Sequence, residues 1–86
     1  MVGELSKLPN IGKAVEEQLV QVGIDSIGEL KRIGARAAWL RIQAMDESAC
    51  IHRLMALEGA IQGVPKAKLP DEVKAELKQF YLEHRI

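Results

Sequence analysis

Glycine and proline interrupt this sequence at short intervals, and the segments between them carry apolar residues every three or four positions. In residues 13–22, for example, Val15, Leu19 and Val22 recur at this spacing, which places them on one side of a helix. No segment alternates polar and apolar residues with the period of two that a half-buried strand requires. The pattern therefore predicts an all-α fold, a compact domain of five or six helices joined by connections of about two to six residues.

Local signals predict where these helices begin and end. A short first helix should stop at residues 8–12, because residues before a proline avoid α geometry and Asn10 and Gly12 tolerate positive φ. Ser26 and Glu29 have capping-box spacing, in which the hydroxyl accepts the Glu29 amide and the carboxylate accepts the Ser26 amide. The other expected helices are residues 13–22, 27–33, 35–45, 51–61 with a cap from Asp-Glu-Ser at 46–48, and a last helix whose first residue is Pro70.

Length and composition limit the functions open to the chain. Its 86 residues are expected to form a single domain, residues 1–86. A chain of this size buries only about 60–65% of its unfolded surface, which leaves little room for a deep substrate pocket. Aromatic residues make up 3% of the chain, too few for a base-stacking platform. Trp39 lies in an alanine-rich segment and is expected in the core.

The formal net charge is zero, but charge is unevenly distributed. Residues 1–30 contain two basic and five acidic side chains, residues 31–53 contain five basic and two acidic, and residues 54–86 contain five of each. The middle segment supplies a candidate patch for nucleic acid or an acidic protein surface, and its residues are Lys31, Arg32, Arg36 and Arg41. Two alternatives stay open: solvated side chains without a partner, or a homodimer in which the acidic first third meets this patch on a second copy.

The sequence gives no sign of a catalytic or metal site. Cys50 and His52 are two positions apart on a predicted helix and therefore point in different directions, while His84 suits the negative end of a helix dipole. No cluster of acidic residues and histidines has metal-ligand spacing, and no glycine-rich phosphate loop follows a strand. We expect no enzyme activity, no cofactor and no metal.

The compartment is predicted from two further features. The first ten residues lack a signal peptide and no apolar run approaches about 18 residues, so we expect a cytoplasmic protein with no membrane partner. A single cysteine cannot form an internal disulfide, which suits a reducing compartment.

Residues 8–30 resemble the helix-hairpin-helix pattern of proteins that handle nucleic acids. The pattern consists of Leu-Pro-x-Ile-Gly at residues 8–12, a helix through Leu19, and Val-Gly-Ile-Asp-Ser-Ile-Gly-Glu-Leu at residues 22–30. Further motifs follow in Gly-Ala at 34–35, Ala-Trp-Leu-Arg-Ile at 38–42, the segment 54–63, and Leu-Pro at 69–70 before a charged helix. Taken in order over residues 5 to 80, these motifs resemble the C-terminal domain of the TfoX/Sxy competence-regulator family.

This resemblance implies a non-catalytic regulatory domain that acts in the transcription of genes for DNA uptake. Members typically carry an N-terminal partner domain, so we expect a stand-alone version or one half of a larger regulator. The expected protein partner is an N-terminal TfoX-type domain or the transcription machinery. Two other functions stay open: weak, sequence-independent binding of the DNA backbone, and a homodimeric scaffold.

In helix-hairpin-helix modules, the glycines of the turn let backbone amides and the following helix N-terminus approach a phosphate. The residues at these positions here are Ile11, Gly12, Lys13 and Ala14. Asn10 stands where a first glycine is usual, and Glu16 and Glu17 follow in the next turn, where their charges would oppose a phosphate. The alternative is that the turn only joins two helices and the glutamates satisfy a helix dipole.

Overall fold

A computed structural model of the chain describes residues 5–47 and 49–84. Within these ranges every regular element is helical, which confirms the predicted all-α fold. Two 3₁₀-helices span Leu5–Lys7 and Lys66–Lys68. The α-helices are α1 (Lys13–Gln21), α2 (Ile27–Ile33), α3 (Ala35–Met45), α4 (Ile51–Gln62) and α5 (Asp71–His84).

The core lies between α3 and α4 and is closed by α1, α2 and α5. Trp39 is completely buried, as predicted, and its indole Nε1 donates a hydrogen bond to the Cys50 carbonyl at 3.1 Å. The other large side chains with no exposed surface are Leu5, Leu19, Ile24, Leu30, Ile42, Leu54, Leu57 and Leu77. Burial of each such side chain stabilises the fold by roughly 1.5–3 kcal/mol, so this aliphatic set accounts for the bulk of the apolar driving force.

Helices end where the sequence predicts when the hydrogen bonds that stabilise the end join residues a few positions apart. Gly23, at φ 88°, ends α1 in a Schellman arrangement: the Ile24 amide donates to the Leu19 carbonyl at 2.8 Å and the Gly23 amide to Val20 at 3.0 Å. The Ser26 hydroxyl accepts the Glu29 amide at 3.1 Å, which confirms half of the predicted capping box. The other half is wrong, because the Glu29 carboxylate pairs with Arg32 instead.

One predicted helix cap and one predicted helix start need correction. The residue that caps α4 is Cys50, without a side-chain hydrogen bond, so the cap predicted from residues 46–48 is wrong. Asp46 instead accepts hydrogen bonds from Gln18 Nε2 at 3.0 Å and Arg53 Nη1 at 3.2 Å, and Ser48 lies outside the described residues. The predicted start of the last helix is off by one residue, because α5 begins at Asp71 and not at Pro70.

Candidate interaction surfaces

The turn at residues 8–12, here called the hairpin turn, is fastened to the end of α4 by Asn10. Asn10 has a left-handed backbone with φ 69°. Its side-chain Nδ2 donates to the Val64 carbonyl at 3.0 Å, with a longer contact of 3.5 Å to the Ala56 carbonyl. Its Oδ1 accepts the Lys66 amide at 3.0 Å. An asparagine replaces the usual glycine because its side chain makes these bonds while tolerating positive φ.

Gly59 makes this attachment sterically feasible. A Cβ at Gly59 would lie 2.5 Å from Asn10 Nδ2 and 2.7 Å from the Val64 carbonyl oxygen, both closer than van der Waals contact permits. A glycine inside α4 was the one sequence signal for such a close approach of backbone, but it gave no indication of the partner.

At the start of α1, one of the four residues predicted to contact a phosphate is buried and the other three are exposed. The side chain of Ile11 is 4% exposed and belongs to the core. Gly12 is the N-cap residue, with an extended backbone and no side-chain cap, and it is followed by the exposed residues Lys13 and Ala14. The backbone amides of Gly12, Lys13 and Ala14 therefore lie at an exposed, positively polarised helix end.

The two glutamates after the hairpin turn differ in position. Glu16 is only 4% exposed, and its Oε2 accepts the amide of Ser6 at 3.0 Å. Its charge is therefore held against the first 3₁₀-helix. Glu17 remains exposed to solvent. Of the two carboxylates expected to oppose a phosphate, Glu17 is exposed and Glu16 is buried.

The structure also brings two lysines toward the hairpin turn that sequence reasoning missed. Because the Lys66 amide is bonded to Asn10, the 3₁₀-helix Lys66–Lys68 lies against this turn. Lys66 and Lys68 are both exposed. More than fifty residues of sequence separate them from Lys13, so no local pattern could reveal the arrangement. We call Gly12, Lys13, Ala14, Lys66 and Lys68 the hairpin surface.

The predicted basic patch is divided between two places. Arg32 forms a forked ion pair with Glu29, and Arg41 donates to the Val22 carbonyl at 3.4 Å. The hydrogen bond from Arg32, aided by the charges of Arg32 and Arg41, lowers the pKa of Glu29, and the same pair raises the pKa of Arg32. Lys31 is exposed on α2. Arg36 points elsewhere, toward α5, and pairs with Glu76.

Arg36 is the one α3 residue at a shallow, open groove that is otherwise lined by α5, here called the α3–α5 groove. The Arg36 guanidinium lies 5.8 Å from the centre of the Phe80 ring, and its Nη2 lies 3.6 Å from Glu76 Oε2. Phe80 also stacks on His84 at 4.1 Å and meets Trp39 edge to face at 6.1 Å. The residues that line the groove are Arg36, Ala75, Glu76, Gln79, Phe80 and Glu83.

Cys50 and the two histidines are not among the residues that form the hairpin surface or line the α3–α5 groove. Cys50 is partly buried and His52 is exposed. His84 Nδ1 lies 2.8 Å from the Phe80 carbonyl at the C-terminal end of α5. Among residues 5–47 and 49–84, no three His, Cys, Asp or Glu side chains are grouped as metal ligands. No helix in these ranges has both the length and the apolar character needed to cross a bilayer.

These features define a small all-helical domain with a hairpin turn fastened to the rest of the fold and a groove along its last helix. The chain belongs to the family of TfoX C-terminal domains, whose family model matches residues 1–81. It is 36% identical over 76 residues to Protein Sxy from Escherichia coli strain K12. That similarity covers 88% of this chain but only 36% of Protein Sxy, so the chain spans about a third of that relative's length.

Two solved structures share the fold. A crystal structure of an uncharacterized protein from Listeria monocytogenes, in a triclinic form, is 47% identical with a TM-score of 0.89, and the similarity covers 94% of each chain. A tetragonal form of a Listeria monocytogenes protein of unknown function is 46% identical with a TM-score of 0.89, covering 91% of this chain and 96% of that chain. The resemblance drawn from the sequence motifs is thus confirmed at the level of family and fold.

Proposed function

We propose that this chain is a non-catalytic domain that binds a protein partner through the α3–α5 groove and acts in the regulation of transcription for competence. The observation that carries the proposal is the groove itself, where Phe80 and Arg36 lie beside the small side chain of Ala75. Aromatic residues and arginine dominate the energetics of protein interfaces. Membership in the TfoX C-terminal family supports the regulatory setting.

The position of α5 supports the same proposal. Of its 14 residues, Leu77 is the one that is fully buried, so most of this helix faces solvent. Its large exposed residue Leu82 adds apolar surface next to the groove-lining residue Glu83. A rigid helix with an exposed face and a held aromatic ring is well suited to bind a partner with little loss of conformational entropy.

Blocking the groove tests the proposal. Ala75→Tyr places a bulky ring in the groove, and Lys78→Tyr places the same ring at an exposed position of α5 outside the groove lining. Surface plasmon resonance would measure binding to a purified N-terminal TfoX-type domain and to RNA polymerase. We expect one of these proteins to bind, Ala75→Tyr to weaken it by about ten-fold or more, and Lys78→Tyr to change it by less than about two-fold.

The proposal fails if neither protein binds at high micromolar concentration. It also fails if the two tyrosine variants bind as well as the parent chain. Circular dichroism of both variants shows whether the helices are intact, so that a loss of binding is attributed to the groove.

A second candidate function is weak, sequence-independent binding of the DNA backbone at the hairpin surface. Two observations favour it: Glu16 is turned inward to Ser6, and Lys66 and Lys68 supply positive charge that the local sequence lacks. Phosphate contacts of this kind need exposed amides and cations but no base recognition.

Fluorescence anisotropy with labelled duplex and single-stranded DNA tests this candidate. The logarithm of the association constant should fall linearly with the logarithm of the salt concentration, with a slope of about −0.9 for each duplex phosphate that the hairpin surface neutralises. It should be lost in Lys13→Ala/Lys66→Ala/Lys68→Ala and kept in Lys31→Ala. Absence of binding at low salt and high micromolar protein removes the candidate.

A further inference from the structure

We infer that Gln43 is a positioning residue for the α3–α5 groove, because its bond to the end of α5 sets the orientation of the Phe80 ring in that groove. The inference rests on the proposed function and adds the element that shapes the same site. A chain of contacts that runs from α3 to the last turn of α5 carries it.

The second half of α5 has little apolar anchorage. Leu77 is the one fully buried residue of this helix. In residues 78–84, Phe80 and Tyr81 are partly buried and the others are exposed. A helix end with few buried contacts frays readily unless other bonds hold it. The last turn of α5 therefore depends on the polar and aromatic contacts that its end makes.

Gln43 supplies one of these contacts from α3. It is one of two polar or charged residues that are buried in the described part of the chain, with 7% of its surface exposed. Its Nε2 donates to the His84 carbonyl at 2.9 Å, across 41 positions of sequence. The last carbonyls of a helix have no partner within the helix, so this bond satisfies an acceptor that α5 leaves open. It also satisfies a buried side-chain amide that would be costly to leave without a partner.

His84 connects this bond to the groove. Its Nδ1 lies 2.8 Å from the Phe80 carbonyl, and its ring stacks on the Phe80 ring with 4.1 Å between the centres. Trp39, fully buried on α3, meets the same ring edge to face at 6.1 Å. Phe80 is thus held by Trp39 and by His84, and His84 is held in turn by Gln43. Release of Gln43 leaves the Phe80 ring with only one of these two aromatic contacts firmly in place.

The orientation of Phe80 affects how well the groove binds a partner. An aromatic ring that is already held loses little conformational freedom on binding. When the last turn of α5 is loose, the partner has to order Phe80 as it binds, and the affinity falls. Gln43 acts on binding through His84 and Phe80, because its own side chain is buried and does not line the groove.

Amide hydrogen exchange of the ¹⁵N-labelled full chain tests the inference. The test variant is Gln43→Met, which keeps an unbranched side chain of similar length but has no donor. The control is Gln62→Met, which removes the same amide group from an exposed bond to Glu58 on α4. We expect exchange at residues 81–84 to become about five-fold faster or more in Gln43→Met, and to change by less than about two-fold in Gln62→Met.

The Phe80 ring gives a second readout that a general loss of stability does not move. The chain has one phenylalanine and one tryptophan, so the nuclear Overhauser effect between their rings is assigned without ambiguity. It should weaken in Gln43→Met and stay unchanged in Gln62→Met. Unchanged exchange at residues 81–84, or an unchanged ring contact, overturns the inference. So does a uniform rise in exchange in α1 and α5 together, because Gln43 then serves stability alone.

Partner binding separates this inference from the proposed function. With the partner identified by surface plasmon resonance, Gln43→Met should weaken binding by about three-fold or more, and Gln62→Met by less than about two-fold. Equal binding by Gln43→Met and the parent chain overturns the inference even when Ala75→Tyr abolishes binding. If Ala75→Tyr has no effect, the proposed function is wrong, and the exchange rates and the ring contact decide separately whether Gln43 holds Phe80.

Discussion

Asn10 shows how one residue that breaks a motif can still satisfy the fold. The hairpin pattern favours glycine at this position for its freedom at positive φ, and asparagine is the residue that comes nearest to that freedom while carrying a side chain. Its bonds to Val64 and Lys66 join the hairpin turn to the segment after α4. The sequence marked Asn10 as unusual but not as an attachment point, because its partners lie more than fifty residues away.

Gly59→Ala tests this attachment. The added Cβ would collide with Asn10 Nδ2 and with the Val64 carbonyl, so the variant should lose about 1–3 kcal/mol of unfolding free energy, measured by urea denaturation. Gly28→Ala is the control, because a Cβ there meets nothing within 4 Å and alanine favours a helix, so its stability should be unchanged or higher. Equal stability of the two variants would show that Gly59 is not needed for the close approach.

The ion pair between Arg32 and Glu29 leads to a prediction about pH. Arg32 lowers the pKa of Glu29 in the folded chain. A carboxyl group with a lowered pKa stabilises the fold above its unfolded pKa and loses that contribution as the pH falls through the folded value. In Arg32→Ala, the carboxyl resonance of Glu29 should titrate closer to the ordinary pKa. An unchanged titration midpoint would contradict the pairing, and Arg36→Ala serves as the control.

At the scale of elements, the sequence predicted helices well where both ends are signalled locally. The Gly23 end of α1 and the Ser26 start of α2 depend on bonds within a few residues. The predicted cap of α4 was wrong because Asp46, a good capping residue, is instead bonded to Gln18 and Arg53 from other parts of the fold. Tertiary bonds of this kind compete with capping and leave no trace in the local pattern.

Ser26→Ala tests the start of α2. Losing the hydroxyl that accepts the Glu29 amide should cost about 1 kcal/mol, seen as a lower midpoint in thermal denaturation. Ser26→Asp keeps an acceptor at the same place and should retain most of the parent stability. If the alanine variant is as stable as the aspartate variant, the hydroxyl contributes nothing to this helix.

At the scale of the whole molecule, the sequence predicted the family and fold but not the surfaces. The four basic residues proposed as one patch lie in two places, since Arg32 and Arg41 surround Glu29 while Arg36 turns to Glu76. The hairpin surface and the α3–α5 groove both combine distant segments, since Asn10 is bonded to Lys66 and Arg36 lies over Phe80. Such pairings follow from helix packing, which periodicity alone does not determine.

Site-specific photo-crosslinking in cells tests the central claim most directly. A photoreactive phenylalanine analogue is placed at Gln79, in the groove, or at Ala14, on the hairpin surface, and the crosslinked species are identified by mass spectrometry and nuclease treatment. We predict a discrete crosslink to protein from position 79, absent when Ala75→Tyr is also present. A nuclease-sensitive crosslink from position 14, with none from position 79, would contradict the claim and assign the domain to nucleic acid.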